Sequence, residues 1–224
     1  MNDTDHNTAR DREFTPLYAR VLAPLIRPFP DFDLFFIKAL RKAAVRSLQL
    51  QPGDRVLDVG CGPGGSFAYL VAAVAQSGEV TGVEISPELA MNARRRVEKN
   101  GWTNVQVIVG DAKAVKLQGS FDAVLMFGAP DIYASESVLA NLVPHLKNGA
   151  RVFAFGAKLS RNPLARVFNS AWRWIFSKLT FASTPKLDFE PWKALEACGV
   201  RLKVEEHLLG WMFFASGSLK RQPE

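Results

Sequence analysis

The sequence predicts an α/β fold: a doubly wound, mostly parallel seven-stranded sheet with helices on both faces and an antiparallel last strand. Three observations predict it. From residue 55 onward, short and almost wholly apolar segments alternate with segments of helical periodicity, as in parallel sheets that are covered on both faces. A glycine-rich turn follows the first apolar segment directly. The two closing apolar segments are joined only by Leu208-Leu209, which favours antiparallel pairing.

The elements are assigned in chain order from apolar spacing and turn residues. A helix is predicted over Asp33–Leu48, before the turn Gln51-Pro52-Gly53-Asp54. The predicted strands are Arg55–Val59, Glu79–Glu84, Val105–Val109, Phe121–Phe127, Ala150–Gly156, Arg201–His207 and Gly210–Ser216. The predicted helices between them are Gly64–Gln76, Pro87–Asn100 with Ser86 as N-cap, Ser135–Leu146 and Glu190–Ala197. Ligands of such sheets bind at the carboxyl ends of the strands.

The chain of 224 residues is long enough for one large domain. Residues 1–32 are interpreted as an N-terminal tail and lid segment, and residues 33–224 as a single domain with an insertion at 158–186. The polar start is unlike a signal peptide, and no apolar run approaches the roughly 20 residues of a membrane span. Two cysteines form neither a disulfide framework nor a metal-ligand cluster. We expect a cytoplasmic location, either free or peripheral to the inner membrane surface.

The net charge of +6 is unevenly distributed along the chain. Between Ser137 and Leu187 there is no acidic residue, whereas the same stretch contains eight basic ones. A charge segregated in this way can meet an anionic membrane surface, an acidic substrate or a nucleic acid. It can equally be a solvated basic surface, and the sequence leaves these alternatives open.

The insertion contains one segment with a distinctive pattern. As a helix over Leu164–Thr180, it would place Arg166 and Asn169 on a narrow polar face, opposite a wide apolar face edged by Trp174. Such a pattern is typical of a helix lying at a membrane interface, and also of a lid over an apolar pocket. A helix packed in the core would look similar, so three interpretations stand.

The turn after the first strand indicates a nucleotide-bearing cofactor. Gly60, Gly62 and Gly65 fit the G-x-G-x-x-G spacing of dinucleotide sites, and Glu84 follows at about the 20-residue interval expected of the acid that binds ribose. Asp58 discriminates between cofactors, because a carboxylate there would repel a pyrophosphate and attract an ammonium group. The residues therefore favour a cofactor with a cationic amino-acid end.

Two further acids end neighbouring strands. Glu84 can accept hydrogen bonds from both hydroxyls of a ribose, while Asp111 can accept from an adenine amino group and the Ala112 N–H can donate to a ring nitrogen. The alternative is that each acid only caps the helix or turn that follows it. A nicotinamide enzyme of the short-chain type would need a Tyr-x-x-x-Lys pair, which none of the three tyrosines forms.

These motifs resemble those of class I S-adenosylmethionine-dependent methyltransferases. The matching segments are VLDVGCGPGG (Val56–Gly65), TGVEIS (Thr81–Ser86), GDA (Gly110–Ala112), FDAVLMFGAP (Phe121–Pro130) and LKNGARVFAFG (Leu146–Gly156). The resemblance implies a Rossmann-like methyltransferase fold with S-adenosyl-L-methionine as cofactor. The cofactor-binding residues it implies are Asp58, Gly60, Cys61, Gly62, Glu84, Ile85, Asp111, Ala112 and Phe127.

The methyl acceptor is less well specified. A sulfonium methyl group is already activated, so transfer requires alignment and water exclusion more than acid–base chemistry. The catalytic residue stays unassigned, with Tyr18, Asp131 and Tyr133 as candidates near the expected pocket. The family's base-methylating motif is missing after strand four, and so is the metal-binding Asp-Asn pair after strand five. Neither a nucleic acid nor a metal is therefore expected.

We expect in-line methyl transfer to a small, largely apolar or amphiphilic acceptor such as a lipid, a quinone or a natural product. Peripheral membrane contact would run through residues 164–180. Two alternatives stay open. One is a tRNA- or protein-modifying methyltransferase that uses the basic stretch 137–187, and the other is a non-catalytic module that only binds the cofactor. The oligomeric state is not predicted.

Overall fold

The computed structural model describes residues 35–171, 174 and 190–221, so the predicted lid segment and Tyr18 lie outside the described residues. Seven strands form one sheet in the order β3-β2-β1-β4-β5-β7-β6. Their bounds are β1 Arg55–Val59, β2 Glu79–Glu84, β3 Val105–Val109, β4 Phe121–Phe127, β5 Leu146–Ala157, β6 Val200–His207 and β7 Met212–Leu219. The first five pair in parallel, and β7 is antiparallel to both of its neighbours. The predicted fold class is confirmed.

Burial follows position in the sheet. The interior strands β1 and β4 are almost entirely buried, whereas the edge strands β3 and β6 are only partly so. Interior strands of a parallel sheet are covered on both faces, which explains their continuous apolar sequences. The alternating residues of β6 are typical of a strand with one solvated face.

Helices cover both faces. Their bounds are α1 Phe35–Ser47, α2 Phe67–Val74, α3 Pro87–Asn100, α4 Pro130–Tyr133, α5 Glu136–Leu142 and α6 Lys193–Ala197. One face packs against α1, α2 and α3 through buried residues such as Val45, Phe67 and Ala93. The other face packs against α5 and α6, with Leu139 and Leu195 in its core. Among the described residues, no helix has the length and hydropathy needed to cross a membrane.

The cap predicted for α3 is present. The Ser86 hydroxyl accepts a hydrogen bond from the Leu89 N–H (3.4 Å), and Gly101 ends the helix in the left-handed conformation, with φ +64°. Ser at the N-cap and Gly after the last turn are the residues that satisfy helix ends at low cost.

Several predicted boundaries were wrong. Helix α6 begins at Lys193 rather than Glu190, and β7 covers Met212–Leu219 rather than Gly210–Ser216. Three others differ for a local reason. Helix α2 begins at Phe67 rather than Gly64, because Gly64 adopts φ +77° and belongs to the turn. Helix α5 ends at Leu142, since Pro144 follows in a short 3-10 helix over Val143–His145. Strand β5 then starts at Leu146, four residues before its predicted start.

The segment after β5 differs from the predicted continuous helix over Leu164–Thr180. It forms a turn, a 3-10 helix over Arg166–Phe168, and helical backbone at 169–171 and 174; the rest of the predicted helix lies outside the described residues. Asn169 was placed on a narrow polar face, but its amide is hydrogen-bonded to Ser160 and Trp211. The Asn169 Oδ1 accepts from the Ser160 N–H (3.0 Å) and from the Trp211 indole N–H (2.9 Å).

Candidate cofactor and acceptor site

The glycine turn is held tightly against the second strand. The N–H groups of Gly60 and Cys61 both donate to the carbonyl of Val83, at 2.8 and 3.1 Å. Gly60 has φ +72°, and a side chain there would lie 2.9 Å from Ile132 Cδ1. Gly62 also has a positive φ, but the space beside its α-carbon is open. Glycine is therefore required at the first position for close packing, whereas at Gly62 the backbone is open to a ligand.

Cys61 contributes backbone rather than a thiol to this turn. Its Sγ is buried and packs against β2, where a side chain at Gly82 would come within 2.9 Å of it. Burial raises the pKa of the thiol well above its ordinary value, and the nearby Asp58 and Glu84 raise it further. A buried neutral thiol of this kind packs as a small apolar group.

Glu84 organises the carboxyl end of β2. Its Oε2 accepts from the Gly62 N–H (2.9 Å) and its Oε1 from the Ser86 N–H (2.8 Å). One carboxylate thus joins the glycine turn to the start of α3. Both bonds are charge-assisted, and they fix the side chain at the position where a ribose-binding acid is expected.

Asp58 is the most perturbed acid of the site. Its side chain is 1% exposed, and within the described part of the chain its Oδ2 has no hydrogen-bond partner. Burial raises the pKa of the carboxyl to about 7; Arg41 opposes this rise, and Glu84 adds to it. A buried carboxyl with an unused oxygen is suited to a cationic group, which would supply both the charge and the missing hydrogen bond.

The third strand end lies beside the second. The Gly110 N–H donates to the Glu84 carbonyl (3.0 Å), which places Asp111 and Ala112 next to the end of β2. Asp111 is exposed, with its Oδ1 accepting from the Lys113 N–H (2.9 Å), while Ala112 is buried. Ile85 is 64% exposed although it is apolar. An open apolar side chain flanked by acids matches the surroundings expected of an adenine ring.

An aromatic row extends from this site across the sheet. The ring of Phe127, at the end of β4, lies 4.5 Å from that of Phe155 on β5, which in turn lies 5.4 Å from Phe214 on β7. Phe127 and Phe214 are only partly buried. The row therefore offers an apolar, partly open surface at the carboxyl side of β4 and β5.

Arg41, on α1, is a site residue that none of the sequence motifs indicates. Its guanidinium donates to the Ser66 hydroxyl (3.0 Å), lies 4.6 Å from the centre of the Phe127 ring, and lowers the pKa of Asp58. A signal was present in the sequence: Arg41 precedes the buried Ala44 and Val45 by three and four residues, so it shares their face of α1.

The two described catalytic candidates differ sharply in exposure. Asp131, in α4, is exposed, and partial burial raises the pKa of its carboxyl, opposed by Lys113. Tyr133 is fully buried in the core, its ring edge-on to Phe213 at 5.5 Å. Burial raises the pKa of its phenol, which keeps the hydroxyl neutral. Tyr133 thus lies in the core rather than on an open pocket wall.

We expect Tyr133→Phe to raise the free energy of unfolding by about 1 kcal/mol, because it removes a buried hydroxyl that has no partner among the described residues. Urea unfolding measures the change. The matched control is Tyr69→Phe, since Tyr69 is only partly buried and should give a smaller effect. A clear loss of stability in Tyr133→Phe would show that the hydroxyl is hydrogen-bonded.

The site fits an S-adenosyl cofactor on observations of this chain alone. The Asp58 oxygen, which has no partner in the part of the chain that the structure describes, suits an ammonium group. The open backbone at Gly62 admits a ligand, and Ile85 and Asp111 are exposed beside the fixed Glu84. Among the described residues, no group of three or more His, Cys, Asp or Glu could hold a metal ion.

Comparison with known proteins agrees with this geometry. A family model described as a methyltransferase domain matches residues 56–149. The protein-L-isoaspartate O-methyltransferase of Methanopyrus kandleri is 36% identical over 59% of this chain and 60% of its own length. That of Pyrobaculum islandicum is 33% identical over 61% of this chain and 66% of its own. The chain thus spans less than two thirds of the length of these relatives.

A solved structure extends the agreement to the whole fold. The S-adenosylmethionine-dependent methyltransferase from Aquifex aeolicus superimposes with a TM-score of 0.61 over 84% of this chain and 99% of that one, at 22% identity. At this identity the likeness concerns the fold. The family match shows a methyltransferase domain over residues 56–149, and together with this fold and the strand-end motifs it supports a class I S-adenosylmethionine-dependent methyltransferase whose cofactor is S-adenosyl-L-methionine.

Proposed function

We propose that this protein transfers a methyl group from S-adenosyl-L-methionine to a small, largely apolar or amphiphilic acceptor. The observation that supports this cofactor is the buried Asp58 oxygen beside the glycine turn, which has no hydrogen-bond partner among the described residues. A pyrophosphate would be repelled there, whereas the ammonium of an amino acid would be bound. The cofactor, when bound, supplies a sulfonium methyl group that is already activated for displacement.

In this proposal, side chains of the protein bind the cofactor and orient its methyl group toward the acceptor. Asp58 would hold the amino group of the methionine end, and Glu84 the ribose hydroxyls, in the position that its bonds to the Gly62 and Ser86 N–H groups fix. Asp111 and Ile85 would contact the adenine from its edge and face. With both ends of the cofactor held, alignment supplies most of what a displacement needs. Asp131 is the described candidate for contact with the acceptor, and no general base is required of it.

The proposed apolar or amphiphilic character of the acceptor is supported by the aromatic row. Phe127 and Phe214 present partly exposed apolar rings from the cofactor side toward β7, and the buried ring of Phe155 joins them. Such a surface stabilises an apolar or aromatic acceptor and excludes water from the transfer. The family model ends at residue 149, before Phe155 and Phe214, so the matched region concerns the cofactor half. We propose peripheral membrane contact through residues 164–180 as part of the same function, with the protein on the cytoplasmic side.

A second candidate is carboxyl O-methylation of protein isoaspartate. It is favoured by the names of relatives that are 33% and 36% identical to this chain. A peptide acceptor would need polar groups for its backbone beside the site, whereas the aromatic row offers apolar area. We therefore rank it second.

Radiolabelled methyl transfer distinguishes the two candidates. The protein is incubated with labelled S-adenosyl-L-methionine and either a lipid and quinone extract or an isoaspartyl peptide. Label extracted into the organic phase supports the first proposal. Base-labile label on the peptide alone would replace it with the second, and no transfer to any acceptor, with the cofactor bound, would favour a binding module.

Glu84→Gln tests the cofactor assignment. It should weaken S-adenosylhomocysteine binding by about 1–3 kcal/mol in titration calorimetry, through loss of charge-assisted hydrogen bonds. Glu79→Gln is the matched control, because Glu79 begins the same strand at its opposite end and pairs with Arg55 on the surface. Equal affinities for the two variants would remove Glu84 from the site.

A further inference from the structure

Six large apolar side chains lie exposed on two neighbouring segments beyond the carboxyl ends of β5 and β6. Four follow β5, and two form the turn between β6 and β7; each is at least 59% exposed. We call them the apolar platform: Leu164, Val167, Phe168, Trp174, Leu208 and Leu209. This much clustered apolar area is unusual on a protein surface unless it meets a partner or a membrane.

Hydrogen bonds join the two segments of the platform. Asn169 Oδ1 accepts from Ser160 N–H on its own segment and from the Trp211 indole N–H beside the hairpin turn. The Ser160 hydroxyl donates to the Leu209 carbonyl, and Ser160 is fully buried. The exposed side chains are thus presented by one assembled structure.

The hairpin turn holds its leucines in a costly conformation. Leu208 and Leu209 have φ of +49° and +56°, in the left-handed region that glycine and asparagine adopt more readily. These two leucines are exposed, so they add nothing to the core, and they do not favour the left-handed backbone that the turn requires. Backbone strain of this kind is found where the side chains serve a function.

The charges around the platform favour an anionic partner. Arg161 and Arg166 are exposed, and no acidic residue occurs between Ser137 and Leu187. The nearest acids in the described segments are ion-paired: Glu190 with Arg161 and Lys193, Glu205 with Lys203, and Glu206 with Lys158. Basic residues around exposed leucine, phenylalanine and tryptophan side chains are typical of proteins that bind at the lipid–water interface.

We infer that the apolar platform docks on the surface of an anionic lipid bilayer and that the amphiphilic acceptor reaches the site from that bilayer. The inference rests on the proposed function and deepens it, because the platform lies beyond the strands that carry Phe155 and Phe214. The hairpin leucines extend the contact beyond the 164–180 segment that the sequence pattern indicated.

Vesicle flotation tests the platform. Wild type is compared with Leu208→Asn/Leu209→Asn, Val167→Ser/Phe168→Ser and the control Met91→Ser, on phosphatidylcholine vesicles with and without phosphatidylglycerol. Asn suits the left-handed turn, so the hairpin variant should fold at least as well as wild type. Met91 is an exposed apolar residue of α3, outside the platform. Both platform variants should bind vesicles at least about tenfold more weakly, and the control should match wild type.

Three results would overturn the inference: no binding of wild type to anionic vesicles, unchanged binding of the hairpin variant, or self-association through the platform without lipid binding. S-adenosylhomocysteine titration on the same samples distinguishes failure of the membrane-docking inference from failure of the proposed function. Normal cofactor binding and transfer to a dispersed acceptor without vesicle binding would refute the platform and the proposed membrane contact, and would leave the proposed methyl transfer standing. If wild type did not bind S-adenosylhomocysteine, the proposed function would be refuted instead.

Discussion

Asp58→Asn is expected to raise the free energy of unfolding above about pH 7 by up to roughly 4 kcal/mol, while it weakens cofactor binding. The reason is burial, which raises the pKa of this carboxyl from 3.8 to about 7 against the opposing effect of Arg41. In wild type, the carboxyl stabilises the fold fully below its unfolded pKa of about 4, and this contribution is lost as the pH rises to about 7. Asparagine does not titrate, so the variant keeps its stability.

Urea unfolding at about pH 5 and about pH 8 measures this difference, which should be clearly smaller at pH 5 and close to its full size at pH 8. Asp122→Asn is the control of opposite sign. Burial alone would raise the pKa of Asp122, but hydrogen bonds from the Arg55 N–H and from Lys147 lower it instead. Its substitution should therefore destabilise the protein at neutral pH. If Asp58→Asn behaved like Asp122→Asn, Asp58 would be a structural acid with a partner.

Whereas the stability of wild type should fall as the pH rises, its affinity for the cofactor should increase. S-adenosylhomocysteine binding to wild type should strengthen from about pH 6 to about pH 8 as Asp58 ionises, and Asp58→Asn should lose about 1–3 kcal/mol together with this pH dependence. An acid that costs stability and improves binding is typical of a functional site. The prediction fails if the variant binds as tightly as wild type at both pH values.

The sequence was sufficient for the parallel strands and for the polar residues at their ends. The bounds of β1 to β4 agree with prediction, because each is a short apolar segment bounded by turn residues. The Ser86 cap follows from the local chain alone. Asp58, Glu84 and Asp111 come together because the carboxyl ends of parallel strands share one edge.

Features set by tertiary packing were not predictable. Cys61 and Tyr133 follow strands at the cofactor edge, yet their side chains point into the core, a direction that depends on neighbouring strands and helices. The orientation of Asn169 depends on Trp211, which is 42 residues away in the chain. The exposure of the hairpin leucines was also not predicted, because the sequence indicated only a short connection between two strands.

Glu206→Gln is expected to lower the free energy of unfolding by about 3 kcal/mol, because it leaves a buried ammonium without its counter-charge. Lys158 is the first residue after β5, its side chain is 1% exposed, and its Nζ pairs with Glu206 on β6. The same Nζ lies 5.8 Å from the centre of the Trp192 ring. One ion pair thus fastens the start of the segment after β5 to the strand that leads into the hairpin leucines.

A double-mutant cycle separates this charge effect from packing. Lys158→Met removes the charge and keeps most of the volume, so it should cost less than Glu206→Gln, and the double variant should recover most of the loss. Urea unfolding provides the four free energies. Purely additive effects would show that the pair is not coupled. Because the pair joins the two segments of the platform, Glu206→Gln should also weaken vesicle binding, whereas S-adenosylhomocysteine binding, at strands on the other side of β5, should stay unchanged.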